Sequence, residues 1–215
     1  AGLLGRLAAR LAGVPAVHTY HGHHLRAPRP RGTLYRLAER ALAPGTACAV
    51  ALTPRQRRDL VEVYRVLPAP RVVVIPPGID AAALRSAARP EEVALLRAAR
   101  RAPGRPLFVW AGRFVPVKDP LGLVEAVRRS GRAFRVVMLG DGPLLAETRR
   151  SVAAAGLGEV VRCPGPVPTA AAWIVASDLV VLSSRSEGAP VLVLEAKALG
   201  RPALATGHRA EAGAA

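Results

Sequence analysis

Short apolar runs alternate along this chain with longer segments of helical periodicity, and this alternation limits the folds open to it. The runs are rich in β-branched residues and are continuously apolar, without the polar residue at every second position that a half-exposed strand has. Such runs are typical of parallel strands buried on both faces, with the helical segments as crossovers between them. The sequence therefore predicts an α/β fold.

The pattern predicts an element order in which most strands are separated by a helix. The predicted strands are Val14–Thr19, Ala47–Leu52, Arg71–Ile75, Leu107–Ala111, Arg135–Leu139, Val160–Cys163, Leu179–Ser183 and Pro202–Ala205. The predicted helices are Thr33–Leu42, Pro54–Val66, Glu91–Arg101, Asp119–Arg129, Pro143–Ala155, Thr169–Ala176 and Val191–Leu199. One helix start is marked by local chemistry, since Thr53 can cap, Pro54 suits the first helical position and Gln56 completes a capping box.

Two prolines and a glycine, Pro76–Gly78, interrupt the chain after the third predicted strand. These residues cannot continue a central strand, and the following segment is rich in Ala and Arg as far as Pro106. We therefore predict two Rossmann-like domains, an incomplete one at 1–80 and a second, slightly shortened one at 81–215. The first opens on an amphipathic segment, Gly2–Leu11, with no strand before it, so we expect the sequence to begin inside a domain.

The net charge of +16 raises the question of a nucleic-acid partner. Lys118 and Lys197 are the only lysines among 31 cationic residues, and this excess of arginine over lysine, beside abundant Ala, Gly and Pro, is typical of a GC-rich genome. Aromatic residues, which interleave with cations where bases stack, make up only 4% of the chain. The composition therefore argues against nucleic acid as a partner.

Localisation is inferred from the absence of other signals. No apolar run approaches the roughly 18–20 residues of a spanning helix, and no charged-then-apolar leader follows Ala1. Cys48 and Cys163 lie far apart and have no metal-site pattern nearby. We therefore expect a cytoplasmic protein. If it contacts an anionic membrane peripherally, we expect the contact at a cluster of arginines in which Glu39 is the only acidic residue: Arg26, Arg29, Arg31, Arg36 and Arg40.

A first group of candidate functional residues follows the predicted strand Leu107–Ala111. Gly112 is followed by Arg113 and Lys118, five residues apart, in a loop that enters a helix. Ligands bind at the carboxyl ends of parallel strands, and Arg and Lys at that edge suit a diphosphate. The alternative is that both are solvated loop charges.

A second group follows the predicted strand Leu179–Ser183. Glu187 lies in the loop, Pro190 marks a helix start whose free N–H groups suit an anion, and Glu195 lies in a largely apolar helix. An unpaired carboxylate is costly there, and ionised carboxylates accept hydrogen bonds from vicinal hydroxyls such as those of ribose and hexose. The alternative is that Glu187 caps a turn and Glu195 pairs with a nearby arginine.

Together these groups resemble the retaining glycosyltransferases of family 4, which have the two-domain architecture called GT-B. The resemblance rests on Gly112-Arg113 with Lys118, on Glu187 and Glu195 at the E-x7-E spacing, and on Gly140-Asp141-Gly142-Pro143. The Pro76–Asp80 junction and the segment His18–Gly22 add to it. The resemblance covers nearly the whole chain.

The resemblance implies a role for each matching residue. Arg113 and Lys118 would hold the donor diphosphate and stabilise it as it leaves, Glu187 would lie near the donor sugar, and Glu195 would hold the ribose hydroxyls. The region beside the base would be Val160–Val167. The implied donor-binding residues are Gly112, Arg113, Lys118, Gly142, Val167, Glu187, Gly188, Ala189, Pro190, Val191 and Glu195.

The resemblance also implies a reaction. A sugar would pass with retention from a nucleotide-diphosphate sugar, UDP- or GDP-linked, to a glycan, a lipid or a small molecule, without a further cofactor. His21 would lie near the transferred sugar, with His18 as the alternative. No Asp-x-Asp occurs, so we expect no metal, with Arg113 and Lys118 in its place.

Some features depart from the family pattern. The front of the first domain is missing, the tail Gly207–Ala215 lacks the expected Gly-rich turn, and Lys197 replaces a small or apolar residue. We therefore expect the 215-residue chain to be inactive by itself. The competing hypotheses are an epimerase or phosphorylase on the same fold and a non-catalytic nucleotide-binding remnant.

Overall fold

The computed structural model describes residues 2–21, 30–99, 104–131 and 133–206. Within these ranges the chain forms two compact units. The smaller contains residues 2–78 and 187–189, and the larger contains 79–186 and 190–206. Each unit has its own parallel sheet, so the predicted α/β class is confirmed.

The smaller unit has a three-stranded parallel sheet in the order β1-β2-β3. Its strands are β1 (Ala16–Tyr20), β2 (Thr46–Ala51) and β3 (Val72–Val74). Its helices are α1 (Gly2–Leu11), α2 (Arg31–Leu42) and α3 (Pro54–Arg58), with a π-helical turn at Asp59–Val63 and 3-10 turns at Ala43–Gly45 and Ala69–Arg71. Tyr20, Leu60, Tyr64 and Leu67 lie in its apolar core.

The start of α3 differs in part from the prediction. The Thr53 hydroxyl accepts a hydrogen bond from the Gln56 N–H at 3.1 Å, which confirms the cap. The Gln56 side chain does not complete a capping box: its Oε1 accepts from the Leu52 N–H at 2.6 Å and its Nε2 donates to the Tyr20 carbonyl at 2.8 Å. The buried amide instead joins the ends of β1 and β2. The helix predicted over Pro54–Val66 is confirmed as far as Val63, but it is α-helical only to Arg58 and π-helical over Asp59–Val63.

A buried ion pair anchors α1 to the rest of the smaller unit. Arg6 is 4% exposed, and its NH2 group donates to both Glu39 oxygens of α2 at 2.7 Å. The Tyr20 hydroxyl donates to Glu39 Oε2 at 2.6 Å, and burial followed by this hydrogen bond raises the pKa of Tyr20. Glu39 therefore joins α1, β1 and α2.

The larger unit has a five-stranded parallel sheet in the order β6-β5-β4-β7-β8. Its strands are β4 (Leu107–Ala111), β5 (Arg135–Leu139), β6 (Val161–Gly165), β7 (Leu179–Leu182) and β8 (Ala203–Ala205). Its helices are α4 (Ala81–Ala87), α5 (Pro90–Ala98), α6 (Pro120–Arg129), α7 (Leu145–Ala154), α8 (Ala171–Ala176) and α9 (Val191–Ala198). A 3-10 turn, Pro116–Lys118, lies between β4 and α6.

One helix of the larger unit is absent from the sequence prediction. α4 lies in the Ala-rich segment after the predicted junction, and Asp80 caps it by accepting hydrogen bonds from the N–H groups of Ala82 and Ala83 at 3.0 and 2.9 Å. β6 continues through Pro164 beyond its predicted end. It is an edge strand of this sheet, where a missing N–H is tolerated.

The strand order creates a switch point between β4 and β7. From β4 the chain passes to β5 and β6 on one side, and then returns to β7 and β8 on the other side of β4. The loops that follow β4 and β7 therefore flank the crevice in which ligands of open α/β sheets bind. Among the helices of the described ranges, none is long and apolar enough to cross a membrane.

Candidate functional site

A cleft of about 480 Å³ opens at the carboxyl ends of β4, β5 and β6. Four of the predicted site residues line it: Gly112, Arg113, Gly142 and Val167. Asp141 and Thr169 line it as well. The structure thus brings the strand end at Gly112 together with the Gly140–Gly142 turn and the start of α8.

Glycines allow the loops after β4 and β5 to approach closely. Gly140 has a φ of +126°, and a Cβ there would lie 2.0 Å from the Gly112 carbonyl oxygen. Gly142 has a φ of +148°, and a Cβ there would lie 2.8 Å from the Phe114 nitrogen. The Phe114 N–H donates to the Asp141 carbonyl at 2.8 Å. Only glycine fits at these two positions of the cleft wall.

The start of the loop after β7 makes three hydrogen bonds, two to the loop after β4 and one to β4 itself. The Ser183 hydroxyl donates to the Lys118 carbonyl at 2.8 Å, and the Arg185 N–H donates to the Val117 carbonyl at 2.8 Å. The Trp110 indole N–H donates to the Ser183 hydroxyl at 3.0 Å. The cation-bearing loop and the start of the loop that carries Glu187 are therefore in direct contact.

A side-chain ion pair adds to this contact. Arg185 NH2 lies 3.0 Å from Asp119 Oδ1. Asp119 also caps α6 by accepting a hydrogen bond from the Gly122 N–H at 3.3 Å, and it has a left-handed conformation with a φ of 49°. Asp119 therefore connects the start of α6 to the loop after β7.

The two predicted cations lie at the turn between β4 and α6. Arg113 is exposed at the cleft and Lys118 is half-buried. The Lys118 Cδ lies 4.0 Å from the position that a Cβ on Gly112 would occupy, so the lysine stem passes close to Gly112. A guanidinium and an ammonium group therefore share one short loop at the switch point.

The two predicted carboxylates lie on either side of the start of α9. Glu187 is half-buried in the loop, Pro190 is the N-cap residue, and no side chain caps the helix. Glu195 is half-buried in α9, and burial raises its pKa. No residue in the described part of the chain pairs with Glu195, so the arginine pair that the alternative predicted is not found there.

The predicted histidines lie in the smaller unit. His21 directly follows β1 and is exposed. His18 lies in β1, where its ring packs edge-to-face against Tyr20 with centroids 4.5 Å apart. Burial and then the nearby Arg6 lower the pKa of His18. Of the arginine cluster, Arg31, Arg36 and Arg40 belong to α2, whereas Arg26 and Arg29 lie outside the described residues.

Sequence reasoning missed several residues that shape the site. Ser183 and Arg185 hold the two loops together, yet nothing in their local pattern indicates it. Asp119 had a usable signal, because an acidic residue before Pro120 is typical of a helix cap. The wall formed by Thr169 and Ala170 at the start of α8 also lies beyond what the motifs indicate.

Comparisons with known proteins agree on one family and one architecture. Residues 94–212 match the family model described as Glycosyl transferases group 1, and residues 1–83 match the one described as Glycosyltransferase Family 4. A D-inositol 3-phosphate glycosyltransferase of Arthrobacter sp. (strain FB24) is 32% identical over 95% of this chain and 52% of its own length. The corresponding protein of Nocardia farcinica is 33% identical over 89% of this chain and 46% of its own length. The chain thus spans about half the length of the curated relatives it matches.

Solved structures show the same fold. Anabaena HepE in complex with UDP and glucose superimposes with a TM-score of 0.81 at 20% identity, over 94% of this chain and 56% of its own. WaaG, a glycosyltransferase involved in lipopolysaccharide biosynthesis, superimposes with a TM-score of 0.69 at 20% identity, over 88% of this chain and 55% of its own. The predicted GT-B, Rossmann-like architecture is confirmed at the level of each unit.

Proposed function

Because the chain belongs to the glycosyl transferases group 1 family, we propose that its larger unit binds the nucleotide-diphosphate sugar from which a sugar is transferred. The observation that carries the proposal is the contact between the loops after β4 and β7, made by Ser183 and Arg185 on the turn that ends at Lys118. One diphosphate can therefore reach groups from both loops. The complexes of HepE with UDP and with UDP-glucose support a UDP-linked donor.

We assign the diphosphate to Arg113 and Lys118. A guanidinium group can bind two phosphate oxygens at once, and an ammonium group acts as a compact charge beside it. Each cation about 4 Å from the departing phosphate can contribute roughly 4 kcal/mol at an effective dielectric near 20, before desolvation. The uncapped first turn of α9, which begins at Val191, adds backbone N–H groups, and Gly188 and Ala189 before it add two more.

We assign the hydroxyl groups of the donor to the two carboxylates. Glu195 has no partner in the described ranges and is half-buried, so an ionised carboxylate there is left to accept hydrogen bonds from ribose. Glu187 lies closer to the strand end and is assigned to the transferred sugar. The base lies beside Val167, which lines the cleft.

The chemistry proposed is transfer with retention and without a metal. Arg113 and Lys118 neutralise the leaving diphosphate, which is the task a metal ion performs in other transferases. Because Glu195 holds the ribose, the two carboxylates do not form the acid and nucleophile pair of a glycosidase. The acceptor attacks on the face from which the diphosphate departs.

The acceptor side of the proposal rests on the smaller unit. We assign His21 to the neighbourhood of the transferred sugar. The acceptor is a glycan, a lipid-linked sugar or a small polar molecule, and the relatives named for inositol 3-phosphate support the last of these. Contact with an anionic membrane would use the arginines of α2.

Titration with UDP by calorimetry tests the donor site. We expect saturable binding of one UDP per chain, and at least about tenfold weaker binding by Arg113→Ala, since a charge-assisted contact is lost. Arg150→Ala is the matched control, because Arg150 is an exposed arginine of α7 outside the cleft. Equal affinity of wild type, Arg113→Ala and Arg150→Ala would show that UDP is attracted only by the general positive charge.

A further inference from the structure

A second cavity lies on the larger sheet, away from the switch point. It has a volume of about 180 Å³, and the first residues of β4 and β5, Leu107 and Arg135, line it. In a parallel sheet all strands start on one side of the sheet and end on the opposite side. This cavity therefore lies toward the amino ends of the strands, whereas the cleft at Gly112 lies at their carboxyl ends.

The strand register places two arginines on the same face of the sheet. Leu107 of β4 is opposite Arg135 of β5, and Val137 of β5 is opposite Arg162 of β6. Because side chains two residues apart point to one face, Arg135 and Arg162 are diagonal neighbours. Arg105 lines the same cavity. Like charges at such neighbouring positions repel each other.

No acidic side chain among the described residues neutralises these three arginines. Glu159 lines the cavity but forms an ion pair with none of them. The Arg135 Nε–H is buried and has no acceptor among the described residues. A buried donor without an acceptor destabilises the folded state. Arg135 therefore offers a buried donor to an anion, beside the exposed guanidinium groups of Arg105 and Arg162.

Apart from these arginines and Glu159, the described residues of the cavity wall are apolar. Leu96 of α5, Trp173 of α8 and Val137 of β5 contribute to it, and Trp173 packs against the core beneath. An apolar cavity of about 150 Å³ can hold benzene, so this one has room for one aromatic ring with a small head group. Apolar walls with a few polar groups at one side are typical of small-molecule sites.

We propose that this cavity, lined by Arg105, Arg135, Arg162 and Trp173, binds a small aromatic molecule with one carboxylate or phosphate group. The ring lies against Trp173 and the anionic group lies among the guanidinium groups. The proposal does not depend on the donor site, because none of these four residues lines the cleft at Gly112. Arg162 belongs to the region Val160–Val167 that was predicted to lie beside the base, but it lines this second cavity instead.

Tryptophan fluorescence of the whole chain tests the proposal with phenyl phosphate and benzoate as probes. Trp173 borders the cavity, whereas Trp110 is fully buried, so we expect a saturable change in emission that Trp173→Phe abolishes. Benzyl alcohol, which has the ring but no charge, should bind about tenfold more weakly. Arg162→Gln, a change at an exposed residue, should weaken the binding of phenyl phosphate by about tenfold, with Arg150→Gln as the control that does not.

Three results would overturn the proposal. The first is that neither anionic probe gives a saturable change in emission at millimolar concentrations. The second is that Arg162→Gln binds phenyl phosphate as tightly as Arg150→Gln does. The third is displacement of phenyl phosphate by UDP, which would assign the binding to the cleft at Gly112. Binding that persists in saturating UDP supports two separate sites.

Discussion

Arg185 and Asp119 form an ion pair, with NH2 and Oδ1 3.0 Å apart, between the loop after β7 and the first turn of α6. The two residues are 66 positions apart in the chain. Their contact lies beside the backbone hydrogen bond from Arg185 to Val117. The pair therefore helps to hold the start of the loop after β7 against the loop with Arg113 and Lys118.

Loss of this ion pair should weaken UDP binding more than it weakens folding. We expect Arg185→Ala to lower the affinity for UDP by about three- to tenfold, because the two loops lose a shared contact. The pair is exposed on the arginine side, so the free energy of unfolding should change little. Calorimetry with UDP and urea denaturation measure the two effects separately.

Asp119→Asn provides the second arm of a double-mutant cycle. Asparagine retains the cap of α6 and tolerates the left-handed φ, so the substitution removes the charge alone. If the pair acts as a unit, Arg185→Ala in the Asp119→Asn background should have little further effect on UDP affinity. Fully additive losses would contradict the positioning role.

Gly140→Ala should destabilise the larger unit strongly. A methyl group at this position would lie 2.0 Å from the Gly112 carbonyl, and the φ of +126° is unfavourable for alanine. We expect a loss of at least about 2 kcal/mol in the free energy of unfolding. Gly158→Ala is the matched control, because a methyl group there meets no atom within 4 Å. Similar denaturation midpoints for the two variants would show that the close approach of the loops is wrong.

Glu195 should give UDP binding a distinctive pH dependence. Burial raises the pKa of its carboxyl group, and only the ionised form accepts hydrogen bonds from both ribose hydroxyls. We therefore expect the affinity for UDP to fall as the pH drops through this raised pKa, relative to Glu195→Gln at each pH. The ratio of the two affinities removes the titration of the UDP phosphates. Glu195→Ala should lose about 1–3 kcal/mol of binding at neutral pH, and an unchanged affinity would count against the ribose assignment.

The stability of the ligand-free chain should change in the opposite sense. A carboxyl group with a raised pKa in the folded state penalises folding when it is charged, so the penalty is present above the raised pKa. It disappears as the pH falls below the ordinary glutamate value. Glu195→Gln should therefore be more stable than wild type at neutral pH and equally stable in acid, as measured by urea denaturation.

Two glutamate–arginine pairs should differ sharply in their contribution to stability. Glu39 neutralises Arg6, which is 4% exposed, so Glu39→Ala leaves a buried charge unpaired and should cost about 3 kcal/mol or more. Glu125 pairs with Arg128 and Arg129 on the surface of α6, and Arg128 lowers the pKa of Glu125 to about 2. Because that site is exposed, Glu125→Ala should leave the urea midpoint nearly unchanged. Equal effects of the two substitutions would contradict the burial of Arg6.

Local patterns were sufficient to predict the bounds of a strand where proline or glycine directly flanks its apolar run. β4 and β5 match their predicted ranges residue for residue, since Pro106 precedes one continuous apolar run and glycines follow both. α4 was missed because its alanines carry no apolar periodicity, although Asp80 gave a capping signal. The side chain of Gln56 was misassigned because its buried partners come from β1 and from the end of β2, which a local motif cannot indicate.

The arrangement of the site could be predicted only with knowledge of the strand order. Alternating strands and helices do not indicate on which side of β4 the chain places β7, so the contacts of Ser183 and Arg185 with the turn at Lys118 could not be predicted from spacing. Positions after predicted strand ends marked Arg113, Lys118, Glu187 and Glu195 as candidates, and the resemblance supplied their roles. Their roles toward a donor stay predictions.

Hydrogen exchange of the backbone amides, with and without UDP, tests the central claim most directly, because that claim is that one nucleotide diphosphate contacts both loops. We predict that UDP slows exchange in residues 112–119 and in residues 184–195 together, with the same concentration dependence. Protection of only one of these segments, or protection of the two at different UDP concentrations, would contradict a single shared donor site.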